Sequence, residues 1–312
     1  MSSNRICAWL GGVALAATAS YACLTFAQRS AAAQPPPAPH VLQLGPPTQP
    51  VNEPVPSATD ASGRRTLMRV CADPNNLPFS NRGGEGFENE LATLIAKDLG
   101  LAVAYSWWPQ RRGFVRNTLK LGNCDVVMGI AAESELVLAT KPYYRSTYVF
   151  LTRRDAGPRV RSLDDTALRH LKIGVPLTGG EGNPPPAQSL ADRGLTSRIE
   201  GYPLYGDYTK PNPPSALVDA VASGKVDVAI VWGPFAGYFA RREGVPLRMT
   251  PVTPAIDRGI LPYEYSISLG VRRGETAWRD RLQGALDRHR AEVARLLRAY
   301  GVPTVETDDE GR

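Results

Sequence analysis

Histidine and cysteine are scarce in this chain of 312 residues, which contains three His and four Cys. The histidines stand far apart along the sequence, and no pair of them has metal-ligand spacing. Phosphate-binding loops, nucleophile elbows, Cys-x-x-Cys pairs and haem-attachment motifs are all missing. We therefore expect a protein that is not an enzyme, binds no metal or cofactor, and carries no electrons itself.

An excess of charge of either sign is also lacking. Two of the 36 basic residues, Arg5 and Arg29, fall in the first 33 positions, which leaves 34 basic against 30 acidic side chains. Without a run of Lys or Arg, this small excess excludes a nucleic-acid partner. Because 43% of the residues are hydrophobic and 21% are charged, we expect an ordinary globular protein.

Residues 1–33 contain no acidic residue and predict an export signal peptide. Arg5 gives the positive start, an uncharged stretch follows, and small residues offer cleavage after Ala27 or Ala33. The stretch is rich in Ala, Gly, Ser and Thr, so it predicts no stable membrane span after processing. An uncleaved anchor is the alternative, whereas a lipid anchor on Cys23 is disfavoured because no branched aliphatic residue precedes it closely.

Removal of this leader leaves only Cys71 and Cys124. Two cysteines in an oxidising compartment favour one disulfide. Cys71 lies in an apolar run that predicts a strand, and Cys124 directly precedes a second such run. Neighbouring strands would bring the two residues within bonding range, so we expect a Cys71–Cys124 disulfide. Two buried thiols are the alternative.

The segment before the globular body is rich in proline. Nine prolines fall between residues 34 and 63, and no sustained apolar pattern accompanies them. This composition predicts an extended, solvated tether over residues 34–65.

From residue 66 onward, apolar runs alternate with segments of helical periodicity, which is typical of α/β folds. Strands are predicted at 67–71, 101–108, 125–130, 148–153, 172–176, 198–204, 226–232, 247–250 and 265–271. Helices are predicted at 87–99, 114–121, 187–193, 216–223 and 275–300.

This alternation predicts two α/β lobes. The first lobe spans 66–152 and 265–303, the second spans 153–264, and a tail follows at 304–312. The strands at 148–153 and 265–271 would form a hinge. Because ligands of such folds bind at the ends of parallel strands, the site is expected in the cleft between the lobes.

Several sequence strings resemble known proteins. LPFSNRGGEGFENELA and SGKVDVAIVWGPFAGYF resemble periplasmic solute-binding proteins of the polar-amino-acid class, and this resemblance covers residues 67–300. CADPNNLPFSN, PQRRGFVRNTL, CDVVMG and TKPYYRSTYVF are similar to the J-type accessory proteins of quinoprotein (PQQ) methanol dehydrogenases in methylotrophs.

The resemblance implies a two-lobed periplasmic-binding-protein-like (type II) fold with a hinge and an inter-lobe cleft. It implies a periplasmic location and a non-catalytic role in the maturation or activation of a PQQ-dependent methanol or alcohol dehydrogenase, which would be the partner. The alternative is a solute-binding protein of an ABC transporter for a small molecule other than an amino acid.

Two departures from the amino-acid-binding relatives bear on the ligand. Those relatives place an Arg on the ligand carboxylate and an Asp on its ammonium group. Here Glu133 and Glu135 stand roughly where the Arg should be, and Trp232 takes the place of the Asp. Since a buried zwitterion needs partners of opposite charge, free amino acids are not expected as ligands.

Aromatic, amide and rim arginine residues remain as candidates for partner binding, a composition typical of protein–protein hot spots. The candidates are Asp73, Asn75, Asn76, Trp108, Arg111, Arg112, Tyr143, Tyr144, Arg145 and Trp232. Thr178 joins them, because the Thr-Gly-Gly turn after a strand can offer backbone N–H groups to an anion. Two alternatives involve acids: a hard-cation site at Asp73 with Glu133 or Glu135, and a dehydratase that uses either glutamate.

Overall fold

The computed structural model describes residues 56–177, 184–204 and 212–306, together with the backbone of 42–43. All of these residues belong to one unit of the chain, 39–312. The expected signal peptide, most of the expected tether, and the tail from residue 307 onward lie outside the described residues. So do Thr178 and the two glycines that follow it.

The described part of the chain forms fifteen strands and seven α-helices. The strands are β1 (Leu42–Gln43), β2 (Leu67–Ala72), β3 (Asn75–Asn76), β4 (Ser80–Asn81), β5 (Ala102–Trp107), β6 (Val126–Ala131), β7 (Leu138–Ala139), β8 (Tyr144–Arg153), β9 (Ile173–Leu177), β10 (Ile199–Pro203), β11 (Val228–Trp232), β12 (Leu247–Pro251), β13 (Ile256–Asp257), β14 (Leu261–Pro262) and β15 (Glu264–Val271). The helices are α1 (Phe87–Asp98), α2 (Phe114–Asn117), α3 (Pro185–Ala191), α4 (Ala216–Ala222), α5 (Gly233–Ala240), α6 (Thr276–Arg288) and α7 (Arg290–Ala299).

Helix α1 shows how the local sequence sets these bounds. The N–H of Gly86 donates a hydrogen bond to the side-chain oxygen of Asn89 at 3.1 Å, which closes the first turn. Phe87, Leu91 and Ile95 recur at helical spacing and are fully buried. Gly100, with a φ of 66°, takes the left-handed conformation that terminates the helix.

Eleven strands form one mixed sheet, in the order β1-β5-β2-β6-β15-β8-β11-β9-β10, with β7 paired to β15 and β12 paired to β8. Parallel pairing of β2 with β5 and β6 builds the first lobe. Parallel pairing of β9 with β10 and β11 builds the second. The two halves therefore share one sheet, and β8 and β15 lie at its centre.

The strands predicted as a hinge correspond to β8 and β15. The pairing between them is antiparallel and lies at 144–147 and 264–267, so it begins before the predicted start of the first hinge strand. Beyond it, β8 pairs with β11 and β12 in the second lobe, whereas β15 pairs with β6 and β7 in the first. The lobe bounds stated above stay a prediction.

Three helical segments differ from expectation. The helix predicted at 114–121 is shorter, since α2 ends at Asn117. The single helix predicted at 275–300 is instead α6 followed by α7, separated at His289, whose Nε2 lies 3.0 Å from Asp98 Oδ1. No residue between Leu286 and Val293 is buried, so the apolar face of the helix is interrupted over this turn. Helix α5 was not predicted; Pro234 in its first turn begins the helix directly after β11.

The described end of the predicted tether, residues 56–65, contacts the body, and the tether bounds stay a prediction. Thr59 and Arg65 form a β-bridge, and the Arg65 guanidinium lies 4.3 Å from the centre of the Trp278 ring. The backbone of β1 pairs in parallel with β5. The remaining tether residues lie outside the described part of the chain.

The expected disulfide between Cys71 and Cys124 is present, with the two Cα atoms 5.3 Å apart. Parallel pairing of β2 with β6, in which Val70 lies opposite Val126, brings the two cysteines together. The bridge lies in a small apolar cluster with Phe114, Val115 and Leu119.

Asp125, next to this bridge, is fully buried and bound by three arginines. It accepts hydrogen bonds from Arg65 at 2.9 Å, from Arg69 at 2.6 and 2.8 Å, and from Arg272 at 2.7 Å. Burial opposes ionisation of Asp125, but the hydrogen bonds from Arg69 and Arg272 outweigh it and hold the pKa of the carboxyl below its usual value. The cluster ties the segment before β2 to the sheet.

The main apolar core is continuous between the lobes, and α5 joins them. The Phe235 ring lies 5.1 Å from that of Phe79, edge to face, and Tyr238 stacks on Tyr300 at 5.8 Å. The backbone of Gly237 lies so close to Gly301 that a Cβ at residue 237 would collide with the Gly301 carbonyl oxygen. The lobes therefore contact each other through α5 as well as through β8 and β15.

Candidate functional site

A cleft of about 400 Å³ lies between the lobes. It is lined by Asn76, Phe79, Glu88, Gln110, Gly129, Ile130, Ala131, Tyr144, Tyr148, Pro176, Pro184, Leu204, Trp232, Phe235, Tyr265 and Ile267.

The sheet topology explains why these residues meet. Residues 129–131 form the carboxyl end of β6, and Trp232 is the last residue of β11. Both strands are parallel to neighbours in their own lobes, so their carboxyl ends open toward the same crevice. The strands that cross between the lobes add Tyr148 and Tyr265 to the cleft.

One end of the cleft is aromatic. The Trp232 ring lies 5.3 Å from Tyr148 and 5.7 Å from Tyr265, and Tyr148 also contacts the buried Tyr263 at 5.6 Å. We call Tyr148, Trp232 and Tyr265 the aromatic cluster. All three are partly exposed, so the cluster presents ring surface to an incoming group.

The other end is polar. Asn76 donates a hydrogen bond from its side-chain nitrogen to Gln110 at 2.9 Å. Its side-chain oxygen is buried and has no hydrogen-bond partner within the described residues. An unpaired buried acceptor is costly, and a donor on a bound molecule would satisfy it.

Glu88 is the only Asp or Glu among the described residues of the cleft lining, and burial raises its pKa from 4.5 to about 8. Repulsion from Asp73 acts in the same direction. Gly129 makes room for this carboxyl, because a Cβ at residue 129 would collide with it. At neutral pH the group is therefore mostly protonated and can donate a hydrogen bond.

Among the described residues that line the cleft, none is Arg, Lys or His. A carboxylate ligand would meet a protonated or negative glutamate and no cation among these residues, and burying such a charge unpaired is strongly unfavourable. The cleft suits apolar, neutral or cationic groups.

Three of the predicted site residues line the cleft: Asn76, Tyr144 and Trp232. Asp73 and Asn75 lie beside it with a supporting role. The Asp73 carboxylate accepts N–H bonds from Asn75 at 2.8 Å and Gln110 at 2.7 Å, and the Asn75 oxygen accepts one from Asn212 in the second lobe at 3.3 Å.

The other predicted residues lie outside the cleft lining. Trp108 packs in the apolar cluster of the disulfide, whereas Trp107 enters the main core. Arg111 and Arg112 line a separate groove of the first lobe.

Tyr143 and Arg145 form contacts outside the cleft lining. The Tyr143 hydroxyl donates a hydrogen bond to the Met128 carbonyl at 2.9 Å, and Arg145 forms an ion pair with Glu264 at 2.8 Å. Thr178 lies outside the described residues.

Neither acid-based alternative gains support. Glu133 and Glu135 are exposed, and neither lines the cleft. Across residues 56–177, 184–204 and 212–306, no group of three or more His, Cys, Asp or Glu side chains could hold a metal ion. Over the same residues, no helix is long and apolar enough to span a membrane.

Sequence reasoning missed several cleft residues, notably Glu88, Tyr148, Tyr265 and Phe235. Glu88 lies within the GFENELA string that carries the family resemblance, which was the available signal for it. The two tyrosines were assigned only to the hinge strands. Their place in the cleft depends on how β8 and β15 cross between the lobes.

Comparison with known proteins defines the class. Bacterial extracellular solute-binding proteins, family 3, match residues 68–302, and the chain belongs to this family. The predicted two-lobed type II fold is thereby confirmed.

Within this class the chain is homologous to MoxJ of Methylorubrum extorquens, with 32% identity over 245 residues, 76% of this chain and 81% of that protein. The crystal structure of the periplasmic binding protein XoxJ from Methylobacterium extorquens AM1 is 34% identical, with a TM-score of 0.62, and the match covers 77% of this chain and 100% of that one. MxaJ from Methlophaga aminisulfidivorans MPT is 25% identical, with a TM-score of 0.67, over 76% of this chain and 100% of that one.

Proposed function

We propose that this chain is a non-catalytic periplasmic accessory protein that binds a PQQ-dependent methanol or alcohol dehydrogenase, or a folding intermediate of it. The inter-lobe cleft would receive a segment of that partner. Binding would assist maturation or activation of the dehydrogenase, and this chain would carry neither its cofactor nor its electrons.

The composition of the cleft carries this proposal. The aromatic cluster offers partly exposed Tyr and Trp rings, the residue types enriched in protein–protein hot spots. The described part of the lining offers no cation to hold the carboxylate of a free amino acid. The similarity to MoxJ and XoxJ supports a partner of the methanol dehydrogenase class, which the resemblance of the sequence strings implies.

The direct test is size-exclusion chromatography with light scattering on the mature chain mixed with the PQQ dehydrogenase of the same organism. The dehydrogenase is supplied both without and with its metal and PQQ. We expect a complex that forms preferentially with the unloaded enzyme. The absence of a complex with either form would refute the proposal.

The polar end of the cleft favours a second candidate, a solute receptor that delivers a neutral or cationic small molecule to an ABC transporter. The unpartnered oxygen of Asn76 and the mostly protonated Glu88 could hold such a molecule. Thermal unfolding with a panel of polyols and amines tests this alternative. A melting temperature that rises with the concentration of one compound would favour it over the accessory role.

A further inference from the structure

A second concave surface lies in the first lobe, on the loop and short helix that follow β5. Its cavity measures about 410 Å³. The side chains that give it its character are Arg111, Arg112, Arg116, Lys120, Phe114 and Leu136. We call it the basic groove. It shares no lining residue with the cleft, although Gln110 of the cleft directly precedes Arg111 in sequence.

The charge of the basic groove is of one sign. Of the described residues that line it, four are cationic and none is acidic. Arg111, Arg116 and Lys120 are exposed and form no ion pair with any described residue. Arg112 already has an interaction partner, so the cations available to a ligand are Arg111, Arg116 and Lys120.

Apolar surface accompanies these charges. Phe114 and Val115 form a nearly buried floor, Leu136 at the rim is 51% exposed, and Leu121 after α2 is 69% exposed. Exposed leucines beside cations are unusual for a purely solvated face, and large exposed apolar side chains in a concave site mark interaction surfaces.

The floor of the basic groove is rigidly supported. Phe114 and Val115 pack in one cluster with the Cys71–Cys124 disulfide and with Leu119. Arg272 donates a hydrogen bond to the Leu119 carbonyl at 3.2 Å from behind the cluster. A site whose shape is preformed loses little conformational entropy on binding.

We propose that the basic groove docks an acidic protein segment that carries an apolar side chain. The three unpaired cations select acidic residues, and the apolar floor takes the side chain between them. A concave site fits a chain segment better than the flat surface of an anionic membrane. The proposal goes beyond the function assigned to the cleft, since it concerns a different surface and holds whichever protein supplies the segment.

Fluorescence anisotropy tests it with the mature full-length chain. The probe is a labelled peptide of Glu and Asp with a central pair of Leu, and the comparison peptide carries Lys at every acidic position. We expect the acidic peptide alone to bind at low salt. The triple variant Arg111→Glu, Arg116→Glu, Lys120→Glu should weaken this binding roughly tenfold or more, and Leu136→Ser should weaken it roughly threefold.

The matched control is Arg159→Glu, Arg169→Glu, Arg198→Glu, which makes the same change in net charge at exposed positions of the second lobe. This control should leave the affinity within about twofold of wild type. Equal losses in both triple variants would reduce the effect to net charge and overturn the proposal. Failure of the acidic peptide to bind, or binding to phosphatidylserine vesicles in its place, would overturn it as well. None of these outcomes depends on the dehydrogenase.

Discussion

From the resemblance of the sequence to amino-acid-binding proteins, we expect Trp232 to stand at the position of their ammonium-binding Asp. In the structure its ring packs against Tyr148 and Tyr265, so the position contributes apolar ring surface instead of a charge. Desolvated aromatic anchors of this kind account for much of the affinity of protein interfaces. We therefore expect the second lobe to bind an apolar group at this position.

Replacement of Trp232 by Ala should weaken binding of the partner dehydrogenase by more than about 1 kcal/mol, the usual threshold for a hot spot. The dissociation constant, measured by titration calorimetry, checks this. Trp108→Phe is the control, because Trp108 lies outside the cleft lining and the change should not affect the constant. An unchanged constant in Trp232→Ala would remove Trp232 from the binding site.

Glu88 should make stability depend on pH. Its pKa is raised from 4.5 to about 8, so the folded state keeps the proton while the unfolded state loses it between these values. The stability contributed by the protonated carboxyl is full below pH 4.5 and is lost as pH rises toward 8, by at most about 1.4 kcal/mol per pH unit. Glu88→Gln removes the titrating group. The difference in melting temperature, variant minus wild type, should therefore increase as the pH rises from 4.5 to 8.

The groups that face Glu88 are Asp73, Tyr143, Tyr144 and Tyr105, and burial raises the pKa of the three tyrosines further above neutrality. The three tyrosines stay neutral between pH 4.5 and 8. Glu135→Gln is the control, since it makes the same substitution at an exposed position outside the cleft lining. Parallel pH profiles for wild type and Glu88→Gln would show that the carboxyl ionises normally.

The residues of the cleft were only partly predictable. Asn76, Tyr144 and Trp232 could be found because polar and aromatic residues near strand ends stand out in the sequence. Glu88 was missed, because it resembles an ordinary acid in the first turn of a helix and only its place in the GFENELA string pointed to it. Only the packing of α1 against β6, with Gly129 opposite, makes it a buried cleft residue.

At the scale of the elements, α5 connects the cleft to the rest of the molecule. It begins at the end of β11, directly after Trp232, and its buried face packs against Phe79 and the segment after α7. Two of its glycines allow this approach. A Cβ at Gly233 would lie 2.6 Å from the Thr147 carbonyl oxygen, and one at Gly237 would collide with the Gly301 carbonyl.

Gly237→Ala should therefore lower the free energy of unfolding by about 1–3 kcal/mol, because the added methyl group forces backbone apart. Chemical denaturation measures the change. Gly284→Ala in α6 is the matched control, since its Cβ would meet only the flexible end of Arg288 at 3.2 Å. That variant should be neutral or more stable by about 0.5–1 kcal/mol. A tolerated Gly237→Ala would contradict the close contact between α5 and the first lobe.

The central strands were predictable from their apolar runs, and observed bounds such as those of β2, β9 and β11 differ from the predicted ones by a few residues at most. The two-residue strands are too short to show an apolar run or an alternating pattern, so the sequence could not predict them. Helix α5 was missed because its residues are apolar on every side, with no polar face to give a helical period.

For the whole molecule, the consequence is that the two lobes are joined in more than one place. The shared strands β8 and β15 form one connection, and the core around α5 forms another. Opening the cleft by rotation about the strands would require the Phe79–Phe235 and Tyr238–Tyr300 contacts to break or slide. The architecture favours a preformed cleft, so we expect the proposed partner segment to bind with small adjustments.

The two-lobed organisation followed from the alternation of strands and helices, and the family comparison confirms it. The continuity of the core between the lobes did not follow from sequence, since it depends on contacts between residues such as Phe79 and Phe235 that lie far apart in the chain.

Hydrogen exchange on the mature chain, alone and mixed with the unloaded PQQ dehydrogenase, shows whether the partner binds in the cleft. We expect slower exchange in the cleft segments at 76–79, 129–131, 144–148 and 232–235 when the dehydrogenase is present, and loss of that protection in Trp232→Ala. Protection confined to surfaces outside the cleft, or exchange unchanged by the dehydrogenase, would contradict it.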